Sequence, residues 1–403
     1  MSASPRAALL AFLTLFACAR SERPARAEEA PIRVGWITEL SGLWDFQGRG
    51  CRAALQLAEE EIARAGGVLG RPLVFDVADD ATSPDRALAL ARTMIADPGV
   101  AVISGTTSSD IAMRLYPEVE AARIPFVVPV AANPRLTRPG TRYTFRVEPD
   151  SAGWGYTLAR FVEHERPGAR VALVYSDYSS NSAAMAGFRW EAARAGLRIV
   201  SDIAHPKGAS APDPRVTALR GADADYVVVF GAGNGAGSLD DALTAALLAQ
   251  GFRADQLLHP HGSAAQLLAW GQPSIGSYFG TFFDAGLEGL TDQGRAFLAT
   301  MRARTGQDAA YVENNCYVAA RLIRDAIAQA GTPDRARVRD AISALRTRET
   351  TTGLPIAFDA DGARAEFMYV MQLTGVTATG YTARQVFEAT WDRTTFPMDT
   401  LSP

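Results

Sequence analysis

Three short turns in the first third of the chain gather groups suited to holding a small polar ligand. Gly105-Thr106-Thr107-Ser108-Ser109-Asp110 sets hydroxyls and backbone N–H groups where a helix begins. An anion is favoured there, because unpaired donors and the helix dipole converge. Leu40 to Gly48 offers Trp44, Phe46 and Gln47 as a wall, and Pro129-Val130-Ala131-Ala132-Asn133-Pro134 adds further main-chain donors. Ser108 and Ser109 also have a plainer role open to them, since a serine at a helix start caps the helix.

Other chemistries find little support. Gly231-Ala232-Gly233-Asn234-Gly235-Ala236 fits a loose G-x-G-x-x-A pattern after an apolar run, but no acidic ribose partner follows at a strand end, so a dinucleotide enzyme is the remote alternative. His259 and His261 in His259-Pro260-His261-Gly262 are two imidazoles two apart, too few for a closed metal site. There is no Gly-x-Ser-x-Gly elbow, and only His164, His205, His259 and His261 are available as imidazole bases. The expectation is a binding protein without catalytic residues, metal or cofactor.

The elements that must position these turns follow from hydrophobic patterning. Ile32 to Ile37, Leu73 to Ala78, Val100 to Ser104 and Pro125 to Val130 are short apolar runs separated by helix-like segments. Runs of that kind suit a parallel sheet covered on both faces. Gly66 and Gly67 follow the last periodic positions of the first helix, where a positive φ stops it, and Ser83-Pro84 opens the next with a cap and a proline in the first turn. After Phe145-Arg146-Val147-Glu148-Pro149 the strand–helix pattern restarts, through Arg170 to Tyr175, Asn181 to Ala195, Arg198 to Ala204, Tyr226 to Phe230 and Asp240 to Gln250. Ligands bind such sheets at the carboxyl ends of their strands, and two lobes would face each other across a cleft.

The order strand, Thr38-Glu39-Leu40-Ser41-Gly42 turn, helix, Ala65-Gly66-Gly67-Val68-Leu69-Gly70-Arg71 stop, strand, Asp79-Asp80 resembles the branched-chain amino acid (Leu/Ile/Val) binding proteins of bacterial ABC importers. Phe358-Asp359-Ala360-Asp361-Gly362, read as a hairpin turn, is also typical of that family. The resemblance runs from about Ile32 to Leu373, leaving the tail to Pro403 without a counterpart. It implies an α/β, type I periplasmic binding fold: two doubly wound parallel-sheet lobes joined by a multi-strand hinge. The expected division is 1–27 signal peptide, 28–148 and 282–355 lobe one, and 149–281 and 356–403 lobe two.

The resemblance also implies where a ligand sits. Ser108 falls on a serine that donates its hydroxyl to a ligand carboxylate, Val130 on a backbone donor, and Ala132 on a threonine whose hydroxyl is missing here. In the second lobe Ser180 and Ala232 fall on or near aromatic positions, and His261 on the carboxylate that receives a ligand ammonium. A largely neutral imidazole brings neither the charge nor the reach of that carboxylate. The expected ligand is therefore an organic or aromatic acid, or another small solute, rather than a free branched-chain amino acid. The candidate contacts are Trp44, Phe46, Gln47, Ser108, Ser109, Val130, Ala132, Tyr178, Ser180, Ala232, Asn234 and His261. The expected partners are a small-molecule ligand and an inner-membrane ABC permease, with the protein a monomer. A sensor of the same fold and an amino acid or amide carrier with altered anchors remain alternatives.

The 403 residues carry a net charge of −4 with scattered arginines and a single lysine, Lys207, so nothing forms the basic field that nucleic acid needs. Ala7 to Ala17 is an apolar run too short to span a bilayer and reads as a secretory leader cleaved after Ala25-Arg26-Ala27. Export to the periplasm follows, with a lipid anchor at Cys18 as the competing processing site. An oxidising compartment permits a Cys51–Cys316 bridge, and the sequence leaves open whether the two pair or stay as buried thiols.

Overall fold

The computed structural model describes residues 30–233, 237–349, 351–364, 366–398 and 401. The expected leader, its cleavage site, Cys18 and Asn234 lie outside these residues. The chain begins with β1 (Ile32–Thr38), α1 (Asp45–Arg64), β2 (Leu73–Asp79), α2 (Pro84–Ala96), β3 (Val100–Gly105), α3 (Ser109–Ala122), β4 (Phe126–Val128) and β5 (Thr144–Arg146). These strands form one parallel sheet in the order β2-β1-β3-β4-β5.

A second series follows: α4 (Ser151–Glu165), β6 (Arg170–Ser176), α5 (Ser179–Ala195), β7 (Arg198–His205), β8 (Tyr226–Phe230), α6 (Leu239–Ala249), β9 (Leu257–His259), α7 (Ala264–Trp270) and β10 (Tyr278–Thr281). Helices α8 (Asp292–Thr305), α9 (Tyr311–Ala330) and α10 (Arg335–Ala344) come next, then β11 (Arg346–Arg348) and β12 (Pro355–Ala357), and finally β13 (Glu366–Val376) and β14 (Tyr381–Trp391). The second sheet runs β14-β13-β10-β9-β8-β6-β7, and β11-β12 form a separate two-stranded ribbon.

Alternation along the strands shows why both sheets need helices on each face. In β4, Val127 joins the core shared with α1 and α9, while Phe126 and Val128 point into the core shared with α2 and α3. In β8, Val228 and Phe230 pack with Phe161 and Phe188, whereas Val227 and Val229 pack with Leu243 and Leu247. Near-continuous apolar strands are the sequence mark of this two-sided burial. Helix α1 buries Cys51, Ala54, Leu55, Ala58 and Ile62, one stripe at helical spacing, and Cys51 is bonded to Cys316 of α9 with Cα atoms 5.4 Å apart.

Local signals were realised closely. Gly66 and Gly67 take φ of +89° and +76° after α1, and a Cβ on Gly67 would collide with the Arg71 carbonyl. Ser83 accepts the Arg86 N–H as the α2 cap, with Pro84 in the first turn. Asp359 closes its turn by donating its N–H to the Ala363 carbonyl.

Three features differ from the sequence reading. Helix α1 starts at Asp45 rather than at Gly48, because the Asp45 N–H bonds back to the Gly42 carbonyl and opens the helix early. Thr144–Arg146 is a strand of the first sheet as well as the approach to a crossing. The tail is β14, paired antiparallel with β13, so the second sheet ends in a hairpin. The chain passes between the two sheets at 147–150, 282–291 and 358–364.

Candidate functional site

The strand ends of both sheets meet around one cavity. The first series of elements contributes Trp44, Gln47, Thr107, Ser108, Val130 and Ala132 to its wall. The second contributes Trp154, Tyr178, Ser180, Asn181, Phe230 and His261, while Glu148 comes from the first crossing and Tyr311 from the start of α9.

The hydroxyl turn is built around a buried carboxylate. Glu39 is fully buried and accepts from the Thr107 N–H at 3.2 Å, the Thr107 Oγ1 at 2.8 Å, the Ser108 N–H at 3.0 Å and the Thr106 hydroxyl. Gly105, at φ +114°, carries the chain past Ile37 so closely that a Cβ would strike the Ile37 carbonyl. The expected backbone anion site is therefore corrected: Glu39 already occupies the Thr107 and Ser108 N–H groups. Burial first and the Glu39 charge second hold the nearby Asp80 carboxyl well above its ordinary range.

Ser108 and Ser109 divide the labour. Ser108 sits at the cap position of α3 but its side chain makes no cap hydrogen bond, which leaves the hydroxyl for the cavity. The Ser109 Oγ accepts the Ala132 N–H at 2.9 Å and the Asn133 N–H at 3.2 Å, tying the β3 turn to the β4 turn.

Across the cavity, Asn181 staples two strand ends by donating to the Ser176 Oγ and to the Phe230 carbonyl at 2.9 and 3.0 Å. His261 is the centre of an aromatic cluster: Trp154 and Phe230 meet it edge-on, each with centroids 4.9 Å away. The Tyr311 hydroxyl lies 3.3 Å from His261 Nδ1. Complete burial lowers the His261 pKa to about 3, so the ring is neutral at physiological pH. The two sides touch directly, with Trp44 edge-on to Tyr178 at 5.8 Å and the Asn133 amide donating to the Ser179 carbonyl at 3.2 Å.

Of the sequence-derived contacts, Trp44, Gln47, Ser108, Ser109, Val130, Ala132, Tyr178, Ser180 and His261 line this cavity. Phe46 does not: it lines a neighbouring recess with Arg49, Met301 and Ala309, and Gln47 borders both. Ala232 is buried outside the cavity wall, and Phe230 and Gly231 take the place assigned to it. Glu148, Trp154 and Tyr311 were missed. Trp154 and Tyr311 belong to helices rather than turns after strands, and Glu148 lay in a segment read only as a crossing. Among the described residues, no group of three His, Cys, Asp or Glu is placed to hold a metal, and no helix is long and apolar enough to cross a membrane.

Two sheets wound alike, three crossings and a cavity closed between strand ends define a two-lobed solute-binding protein. Residues 31–380 match the family described as "Periplasmic binding protein", and the chain belongs to it; this is a family of binding proteins, not enzymes. Among curated relatives, Leu/Ile/Val-binding protein homolog 8 of Brucella abortus (strain 2308) is 28% identical over 208 residues, 49% of this chain and 51% of that one. The chain thus spans about half the length of that relative. Homolog 3 of Brucella melitensis is 25% identical over 339 residues, covering 82% of this chain and 88% of the relative. A solved ABC transporter solute-binding protein from Rhodopseudomonas palustris BisB5, in complex with 3,4-dihydroxybenzoic acid, shares the fold with a TM-score of 0.77 at 20% identity. That likeness covers 89% of this chain and 97% of the other.

Proposed function

We propose that this protein works in the periplasm, closing around a small aromatic or organic acid that lacks an α-amino group and delivering it to an ABC permease. The observation that carries the reading is His261. It occupies the place where the family resemblance sets an ammonium-binding carboxylate, and burial keeps it uncharged among Trp154, Phe230 and Tyr311. The rings of Trp44, Trp154, Tyr178, Phe230 and Tyr311 in the wall suit an aromatic body, and the Ser108 hydroxyl supplies a donor for its acid group. The complex of the Rhodopseudomonas palustris neighbour with 3,4-dihydroxybenzoic acid supports this class of ligand.

Glu148 favours a second reading. It places a buried carboxylate in the cavity wall, where it also accepts from the Asn315 amide, and it offers a counter-charge to an amino acid ligand. The relatives' Leu/Ile/Val-binding names point the same way.

A thermal-shift screen of benzoic acids, short organic acids, amides and amino acids separates the two. A true ligand at a hundredfold excess over its dissociation constant stabilises by about 2.7 kcal/mol. Stabilisation by benzoic acids and none by leucine is the expected result; tight leucine binding would overturn the first reading in favour of the second.

A further inference from the structure

The tail that the family resemblance leaves without a counterpart is anchored on one sheet and reaches for the other. After β14, Trp391 and Phe396 are each 5% exposed and pack with Ala152 of α4, and a Cβ on Gly153 would strike the Trp391 ring. Trp190 of α5 stands edge-on to both rings, with centroids 5.7 and 5.9 Å away. Helices α4 and α5 cover the second sheet through Phe161 and Phe188, so the tail is fixed to that side. Between the two rings, Asp392 caps the short 3-10 helix Arg393–Thr395 by accepting the Thr394 N–H at 3.0 Å. Arg393 therefore leaves from a fixed base.

Its partners lie on the other side. One arm of the Arg393 guanidinium donates to the Thr137 carbonyl and the other to Asp359 Oδ2, and the side chain is 12% exposed. Thr137 ends the 3-10 helix Pro134–Thr137, which lies between β4 and β5 of the first sheet. The turn that carries Asp359 is tied to the same sheet: the Arg146 N–H donates to the Gly362 carbonyl at 2.9 Å, and the Gly140 N–H donates to Asp361 at 3.1 Å. The other end of the Thr137 helix is the cavity turn, where Ala132 lines the wall and the Asn133 amide reaches the Ser179 carbonyl. Leu401 lines a recess with Asn133 and Ser179, beside that contact.

A guanidinium presents its donors in a fixed fork, so it holds two acceptors together only within a narrow range of separation and angle. Rotation of one sheet against the other about the crossings would carry Thr137 away from Arg393. We propose that the segment from Asp392 to Met398 is a strap, with Arg393 as its positioning residue, that holds the two sheets drawn together before any ligand arrives. A protein whose binding-competent form is only fractionally populated binds more weakly by that fraction, so the strap raises affinity without touching the ligand. Its action is independent of the ligand's class.

Small-angle scattering on the full chain with nothing added tests the strap apart from any reading of the ligand. Arg393→Gln removes the charge and the fork, and Arg393→Lys keeps the charge without the fork. The glutamine variant should have a larger radius of gyration than the unaltered protein, with the lysine variant between them. Melting should fall by no more than about 4 °C, because the rings of the tail stay packed on α4 and α5. Calorimetry with benzoic acid and with leucine supplies the second readout. Whichever of the two binds should bind Arg393→Gln roughly threefold to tenfold more weakly, the loss expected for one charged contact that favours the competent form. Equal radii of gyration for the unaltered protein and Arg393→Gln would overturn the strap whichever acid binds. Equal radii with a large fall in melting would assign Arg393 to the stability of the fold alone.

Discussion

Asp110, in the first turn of α3, lies 2.7 Å from the ammonium of Lys207, the only lysine of the chain, and the pair bridges the two sides of the cleft. Asp110 also accepts the Ser179 N–H at 3.2 Å, and Lys207 lies 5.7 Å from the centroid of the Tyr178 ring, whose edge faces Trp44. These contacts join the two sides beside the cavity, so under the proposed closure they would favour the closed form. With Lys207 54% and Asp110 20% exposed at their side chains, solvent screening limits the pair to about 1 kcal/mol.

Lys207→Gln should therefore weaken ligand binding roughly twofold to fivefold, mainly by faster release. Stopped-flow dissociation at several salt concentrations checks it. The unaltered protein should lose affinity as salt rises and the variant should lose less; identical salt slopes would show that the pair does not govern closure.

Ser108 and Ser109, neighbours in one turn, should respond differently to alanine. Ser108→Ala removes a hydroxyl the fold does not use, so melting should barely move while affinity for an anionic ligand falls by about 1.5 to 3 kcal/mol. Ser109→Ala strands the Ala132 and Asn133 N–H groups, so the fold itself should lose about 1 to 3 kcal/mol. Calorimetry and thermal melting together distinguish the cases. A Ser108→Ala protein with unchanged affinity would take Ser108 out of the site.

The Cys51–Cys316 bridge closes a loop between residues 265 apart and joins α1 to α9. Replacing both cysteines with serine should cost about 2 to 4 kcal/mol of stability, mostly by freeing the unfolded chain. Melting with and without reductant measures this. If reductant lowers the melting point of the double variant as much as that of the unaltered protein, the effect does not come from the bridge.

His259 is fully buried beside His261 and stacks on Trp270 with centroids 3.7 Å apart; burial, with a further contribution from His261, lowers its pKa to about 3. The folded form holds the ring neutral while the unfolded chain protonates it below about 6.5. Its stability contribution is thus intact above that pH and is lost progressively as pH falls towards about 3. Asp240 works in the opposite sense. Its complete burial raises its pKa to about 6, despite hydrogen bonds from Gly231, Trp270 and Gln266, so between about 6 and 4 acidification relieves the cost of its charge. Comparing melting between pH 7 and 4 for the unaltered protein and His259→Leu isolates the histidine. The unaltered protein should lose up to about 1.4 kcal/mol per pH unit relative to the variant. Parallel curves would mean that His259 stays protonated or becomes exposed.

Local signals carried much of the fold. Gly67 stops α1 because its φ is closed to other residues, Ser83 and Pro84 start α2, and Asp359 to Gly362 turn the chain; each depends on a few neighbouring residues. The two-sided burial of strands such as β4 and β8 was equally legible, since it demands unbroken apolar runs. Turns after strands could be named as cavity walls for the same reason: a parallel sheet sends its strand ends to one side.

What the sequence by itself determined, then, was the order of elements, the pairing of two such sheets and the turns able to face a cleft. Only tertiary structure decided which side chains share the cavity. Gln47 borders both the cavity and the neighbouring recess, while Phe46, one step along α1, lines the recess alone. Glu39 fills the donors of a turn more than 60 residues downstream, as its bonds to Thr107 and Ser108 show, so the apparent anion site is spent within the fold. Trp154, His261 and Tyr311 come together from three distant segments, and no local pattern records that meeting. Periodicity and capping act over a few residues, whereas cavity walls are set by packing across the whole chain.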